Sequence, residues 1–349
     1  MIEDILSYVS KNKKIFEIPS KERLTFVQIM HSRWKKYEKG RIIYAIFRQS
    51  LPTPILYAKI SRDPSFDFAL EQEWAWLVHL RRLNDPIINS IPTPLQLARI
   101  RDRMVLFESA LPGITMLNLI DTLSIRNEAD VHIYAEKLIN LIEEWLCHFQ
   151  NVTKQGIEII TESFIAQRVK PILQKYIEHV GSSNNSEETC SILLNKLKSY
   201  TGTALPIVII NGNLAPQTIL VNDELTKIGI VDWKFCETTS LILREHYCFA
   251  QYLFYEWVQK GFLGNGDMEK IWAQTFIDID NFLGKQLDLF IQRTNRRLGI
   301  EKGLADILFP IFLVNELNVQ MEYNKFIPDP KMTHLEKFLE LWIKAKFKY

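Results

Sequence analysis

Between Val208 and Glu237 the chain reads VIINGNLAPQTILVNDELTKIGIVDWKFCE, and its polar residues fall at the ends of short apolar runs. Ile207 to Ile210, Thr218 to Val221 and Lys227 to Val231 are β-branched runs of strand length, with Asn222-Asp223-Glu224 as the hairpin turn between the last two. Asp232 offers a carboxylate, Thr218 a hydroxyl, and Asn211 and Asn213 amides that donate and accept hydrogen bonds. An amide orients a hydroxyl but is too weakly basic to take its proton. A second pair lies upstream. Lys59 lies next to the end of the apolar run Ile55 to Ile60, and Glu73 shares a helical face with Leu77 and Leu80. A carboxylate on an apolar stripe needs a cation when buried, and Lys59 is the obvious partner. Glu71 shares its own face with Trp74 and Val78, so the residues alone leave open which glutamate pairs.

These motifs resemble the aminoglycoside phosphotransferase and choline kinase group, small-molecule relatives of the protein kinases. In that group a loop H-G-D-x-x-P-x-N precedes a strand ending in D-W-E. The loop here is Asn211-Gly212-Asn213-Leu214-Ala215-Pro216-Gln217-Thr218, and the strand ends in Asp232-Trp233-Lys234. The framework is kept, whereas Asn211 stands for the family's His, Asn213 for its catalytic Asp and Thr218 for its metal-binding Asn. Asp232 is the metal-binding Asp, and Lys234 a cation where a glutamate is common. The same resemblance makes Tyr57-Ala58-Lys59-Ile60 the segment whose lysine holds nucleotide phosphates and pairs with Glu73. It places the backbone of Glu108 to Ala110 at the adenine edge, and the basic connection from Arg33 to Arg41 over the phosphates.

The resemblance implies an α+β, two-lobed, protein-kinase-like fold. Residues 1–110 would form an N-terminal nucleotide-binding lobe, an antiparallel sheet plus a helix. Residues 111–349 would form a larger, mainly helical C-terminal lobe carrying the catalytic-loop-like segment 207–237. ATP and Mg²⁺ are the implied cofactors, with metal binding weakened or lost, because Thr218 is a poorer ligand than a side-chain carbonyl. The leading expectation is a catalytically impaired phosphotransferase-like protein, a pseudokinase acting as a binding or regulatory module for a small-molecule metabolite or a protein partner. The alternative is an active ATP-dependent kinase that phosphorylates a hydroxyl of a sugar, amino-sugar or related metabolite. A third reading is an interaction protein with an empty cleft.

Composition narrows the classes. Lys plus Arg number 42 against 41 for Asp plus Glu, so no global field draws the chain to nucleic acid. Cys147, Cys190, Cys236 and Cys248 are far apart, without zinc spacing, and read as small buried residues of a reducing, cytoplasmic setting. The start, MIEDILSYVSKNKK, lacks the long apolar core of a signal peptide, and no apolar run of transmembrane length is expected.

The elements that must position these residues follow from periodicity. Thr25 to Ile29, Ile42 to Phe47, Ile55 to Ile60, Leu95 to Ala98 and Arg103 to Glu108 are strand-like. A helix is expected from Phe68 to about Leu83, and a long amphipathic one through Val131, Leu138, Trp145 and Phe149. Residues 163–179 read as a helix interrupted near Pro171, residues 181–186 as an exposed loop, and Ile192 to Leu197 as a short helix. After Glu237 the chain is expected to be helical to its end.

Overall fold

The expected strands form a sheet. The computed structural model describes residues 1–31, 41–123, 128–181, 184–264, 266–323 and 330–347. Strands β1 (Leu24–His31), β2 (Arg41–Arg48), β3 (Pro54–Ser61), β4 (Pro94–Ile100) and β5 (Arg103–Ser109) lie in the order β1-β2-β3-β5-β4, every neighbouring pair antiparallel. Helix α1 (Ile2–Lys11) buries Ile5 and Val9 in a cluster with Phe16, Ile46, Leu56, Ala58, Ile60, Val105 and Phe107. Helix α2 (Phe68–Leu80) sets Leu70 against Met104 and Leu106. Side chains alternate between the faces of a strand, so Lys59, which pairs with Leu106, shares the α2 face. Glu108 follows Leu106 by two residues and faces the same way. This alternation delivers both charges to one place.

Further along, β6 (Ile114–Thr115), β7 (Gly156–Ile159), β8 (Ala204–Ile210), β9 (Ile219–Val221), β10 (Ile228–Ile230) and β11 (Glu237–Thr239) make two three-stranded sheets. The hairpin expected at Asn222 to Glu224 joins β9 to β10, and β6 extends that sheet. The apolar run ending at Ile210 lies elsewhere: β8 pairs with β7 and β11. The remainder is mostly helical.

The contacts divide the chain into two compact units. The first contains residues 1–115, 211–213 and 218–236, and the second residues 116–210, 214–217 and 237–349. The second unit is built on the helix Glu128–Val152 and on an aromatic core in which Trp272 stacks on Phe338 at 4.6 Å. The interruption expected near Pro171 is a π turn over Ile165–Val169, just ahead of the helix Lys170–Val180, where proline lacks the N–H that a regular helix would use. One expectation needs correction. The loop and short helix expected over residues 181–197 are largely one helix, Asn184–Lys198, with the acidic Glu187 suited to its first turn; residues 182 and 183 lie outside the described residues. The helix Lys302–Tyr323 is long and apolar, yet it gives no clear transmembrane segment. Its most apolar window is 72% buried inside the protein, as for a core helix.

Candidate functional site

Glu73 is the hub. Its side chain is fully buried in α2, and Lys59 Nζ donates to its Oε1 at 2.7 Å while Arg41 Nη1 donates to its Oε2 at 2.5 Å. The backbone N–H of Trp233 adds a third donor to Oε1 at 3.1 Å. Glu71, one turn face away, is exposed, which settles the choice that periodicity left open.

From this hub the charges alternate in sign. Lys59 Nζ also lies 2.7 Å from Glu108 Oε1. Arg41 Nη1 reaches Asp232 Oδ1 at 3.3 Å and its other nitrogen donates to the Ala69 carbonyl. Lys234 Nζ closes on Asp232 Oδ2 at 3.0 Å. The sequence Glu108, Lys59, Glu73, Arg41, Asp232, Lys234 is thus a chain of six charges in which each touches only the opposite sign. All six belong to the first unit. The side chains of Glu108, Lys59, Glu73 and Arg41 are 9% exposed or less, whereas those of Asp232 and Lys234 are 26% exposed, so that end of the chain meets solvent.

The electrostatics follow from this order. Burial alone would push the Glu73 and Asp232 carboxyls up, but Lys59 and Arg41 hold Glu73 below its ordinary value. Lys234 and Arg41, with Lys59 behind them, hold Asp232 far below the usual carboxylate range. Lys59 and Arg41 are raised against the same burial by their carboxylate neighbours. Glu108 is the exception. Burial dominates there, helped by Glu73, and pushes its carboxyl up to about 7 in spite of Lys59.

The loop is braced by its own amides. Asn211 Nδ2 donates to the carbonyl of Asp232 at 3.3 Å, and its Oδ1 accepts the N–H of Asn213 at 3.2 Å. Thr218 Oγ1 donates to the Asn213 carbonyl at 2.8 Å, so this hydroxyl ties the loop to the start of β9. Gly212 has φ +82°, and a Cβ there would overlap the carbonyl of Phe235. Asp232 itself is left-handed, with φ 64° and ψ 65°, a conformation costly for a residue with a side chain and held here by the two cations and the Trp233 contact. The Trp233 indole, fully buried, donates to the Ile230 carbonyl at 2.9 Å. Among the described residues the side-chain amide of Asn213 has no partner, and it is half-buried.

The residues singled out from sequence are therefore distributed as follows. Lys59, Glu73, Glu108 and Asp232 join one charge chain, while Asn211, Asn213 and Thr218 form the loop whose Asn211 braces Asp232. At Glu108 the inward side chain is the conspicuous group, where a backbone role was expected; the N–H of Ala110 is taken by the Ile55 carbonyl at 3.1 Å. Lys234, whose direction sequence left open, turns onto Asp232 and lies 4.9 Å from the Phe235 ring. Arg41 was missed as a site residue, appearing only as the end of a basic connection; residues 32–40 of that connection lie outside the described residues. Its one available signal was position, as the first residue of β2 after a polar loop. Among the described residues no cluster of three His, Cys, Asp or Glu side chains is placed to share a metal ion.

No protein-family sequence model matches the chain, and no curated protein matches it by sequence. Its fold does match solved structures. The apo form of a thermostable mutant of aminoglycoside phosphotransferase APH(4)-Ia aligns over 97% of this chain and 99% of that one, with a TM-score of 0.57 at 8% identity. This is an aminoglycoside phosphotransferase-like, protein-kinase-like fold. A ternary complex of a mutant of the same phosphotransferase with ADP and hygromycin B aligns over 98% of both chains, with a TM-score of 0.58 at 9% identity. At such identities the likeness establishes the α+β architecture, and the chemistry has to be argued from the site.

Proposed function

We propose that this protein is a catalytically impaired phosphotransferase-like protein, a pseudokinase, that binds a nucleotide or a hydroxylated metabolite without a divalent metal and acts as a binding or regulatory module. The observation that carries this reading is that both oxygens of Asp232 are engaged by cations, Arg41 on one and Lys234 on the other. A dication placed about 4 Å from a unit positive charge is opposed by roughly 8 kcal/mol at an effective dielectric of about 20. Unless both cations swing away, magnesium gains little there. Thr218, its hydroxyl proton given to the Asn213 carbonyl, is a weak second ligand. The donor set therefore fits Mg²⁺ poorly. Asn213 lacks the basicity to take an acceptor proton, a service worth about 10²–10⁴ in rate.

On this reading residues 1–110, with the segment around Asp232, hold the ligand, and residues 111–349 supply the rest of the scaffold. The ADP and hygromycin B bound in the structural neighbour make an adenine nucleotide and a polyhydroxylated amine reasonable first ligands to try. The free cysteines suit a cytoplasmic setting, and a protein partner is the natural recipient of a regulatory signal.

Two observations favour the active-kinase reading. The Lys59–Glu73 pair is assembled, and the amide of Asn213 is available to orient a hydroxyl. Positioning and electrostatics alone then supply the rate.

Melting temperature with ATP, in magnesium or in chelator, separates the two. Ligand at about 100 times its Kd adds roughly 2.7 kcal/mol. The pseudokinase reading expects the same stabilisation in both buffers, its loss in Lys59→Ala, and a new magnesium response in Lys234→Met. Stabilisation that appears only with magnesium, or steady phosphorylation of an alcohol by the wild type, refutes it. No response to ATP in either buffer removes nucleotide from the reading.

A further inference from the structure

Lys59 carries three N–H donors, and two carboxylates already contact its nitrogen at 2.7 Å. Glu73 is the partner expected of such a lysine and is itself shared with Arg41 and Trp233. Glu108 is different. It comes from β5, reaches Lys59 diagonally across the β3–β5 register, and is bound on one oxygen only. Its Oε2 is buried and has no hydrogen-bond partner among the described residues. A buried carboxylate oxygen without a donor is an unfavourable arrangement that a structural ion pair does not require.

We propose that Glu108 is the residue that decides which ligands Lys59 accepts: its carboxylate occupies the lysine from the strand side as an internal anion, and an anionic ligand group gains Lys59 only when Glu108 is protonated or moves away. The inference rests on the reading that Lys59 receives a phosphate group. Charge counting supports it. Glu108, Glu73 and Asp232 balance Lys59, Arg41 and Lys234, so the array is neutral with Glu108 ionised and carries one positive charge when a solvent proton neutralises Glu108. An anion is therefore attracted by one form and not by the other. The groups that face Glu108 are Lys59 and Tyr57 on β3, Glu73 on α2 and Arg41 on β2. Their balance with burial puts the carboxyl at about 7, where modest changes in pH exchange the two forms.

The test is calorimetric binding of ADP in chelator, at several pH values from 6.5 to 8.5, to wild type, Glu108→Gln and Lys59→Met. A unit charge within about 5 Å of the bound anion is strongly felt at an effective dielectric near 20, so Glu108→Gln is expected to bind ADP about tenfold tighter, or more, at pH 8.5. The gap closes toward pH 6.5 as wild-type Glu108 takes its proton, and the variant's own profile accounts for titration of the probe. Glu108→Met repeats the comparison if Glu108→Gln folds poorly, because wild-type affinity relative to either variant must fall as pH rises through 7. Equal or weaker binding by a folded Glu108→Gln at pH 8.5, or a wild-type affinity that does not fall relative to the variant's as pH rises, overturns the proposal and leaves the phosphate reading standing. Binding by neither protein at any pH overturns the phosphate reading, and this proposal with it. Binding retained in Lys59→Met moves the anion to another cation and also overturns it.

Discussion

Replacing Glu73 with alanine tests the hub of the charge chain directly. The carboxylate is fully buried and accepts from Lys59 at 2.7 Å, from the Trp233 N–H at 3.1 Å and from Arg41. Its removal leaves the Trp233 N–H without its acceptor, a loss of about 1–3 kcal/mol for a buried group. It also leaves Lys59 to Glu108 alone and Arg41 to Asp232 at the longer distance of 3.3 Å. Breaking a buried pair from one side costs about 3–5 kcal/mol, and the two effects overlap because they share one carboxylate. A total loss of about 3–5 kcal/mol is expected. Glu71→Ala is the control, since Glu71 is exposed on the same helix and its first-turn position is worth less than about 1 kcal/mol. Glu73→Gln should fall between them, as the amide oxygen still accepts from Lys59 and Trp233 but the charge is gone. The assay is urea unfolding followed by circular dichroism, with the slope compared to establish that the same surface is exposed in each variant. A Glu73→Ala protein within 1 kcal/mol of wild type at unchanged slope would refute the argument, because a carboxylate between two buried cations cannot be removed so cheaply.

Two further predictions come from other parts of the chain. Gly212 and Gly202 both have positive φ, but a Cβ at Gly202 meets open space whereas one at Gly212 overlaps the Phe235 carbonyl. Gly202→Ala is expected to cost about 1 kcal/mol and Gly212→Ala more than 2, measured as the difference in melting temperature; equal shifts would mean the loop does not press on residue 235. His246 is buried and held down to about 3 by desolvation. Between about 3 and the unfolded value near 6.5 the unfolded chain binds the extra proton, so stability falls as pH drops through that window. His246→Phe should flatten that slope in pH-dependent urea midpoints, whatever it does to the absolute stability.

The sequence exposed the members of this site unevenly, and the reason is geometric. Lys59 and Glu73 were legible because each sits in a pattern with one dominant period, a strand ending beside a helix that carries an apolar stripe. Glu108 was read for its backbone, since the run Met104-Val105-Leu106-Phe107 is apolar on both faces and gives no alternation from which to assign the next side chain. Arg41 was hidden more deeply. It is 32 positions from Glu73 and 191 from Asp232, and a cation in a basic stretch ordinarily faces water. The short strands β7 and β11 escaped for a similar reason, as three or four residues have too little period to register and take their structure from β8. The same logic bears on function. Read singly, Asp232 is a surviving metal ligand and Lys234 an oddity; placed together, with Arg41 on the other oxygen, they are one neutralised group. On the proposed reading, the departures from the motif at Asn213 and Thr218 are visible residue by residue, whereas the cations that would stand in for a metal's charge are visible only once chain segments nearly two hundred residues apart meet around one carboxylate.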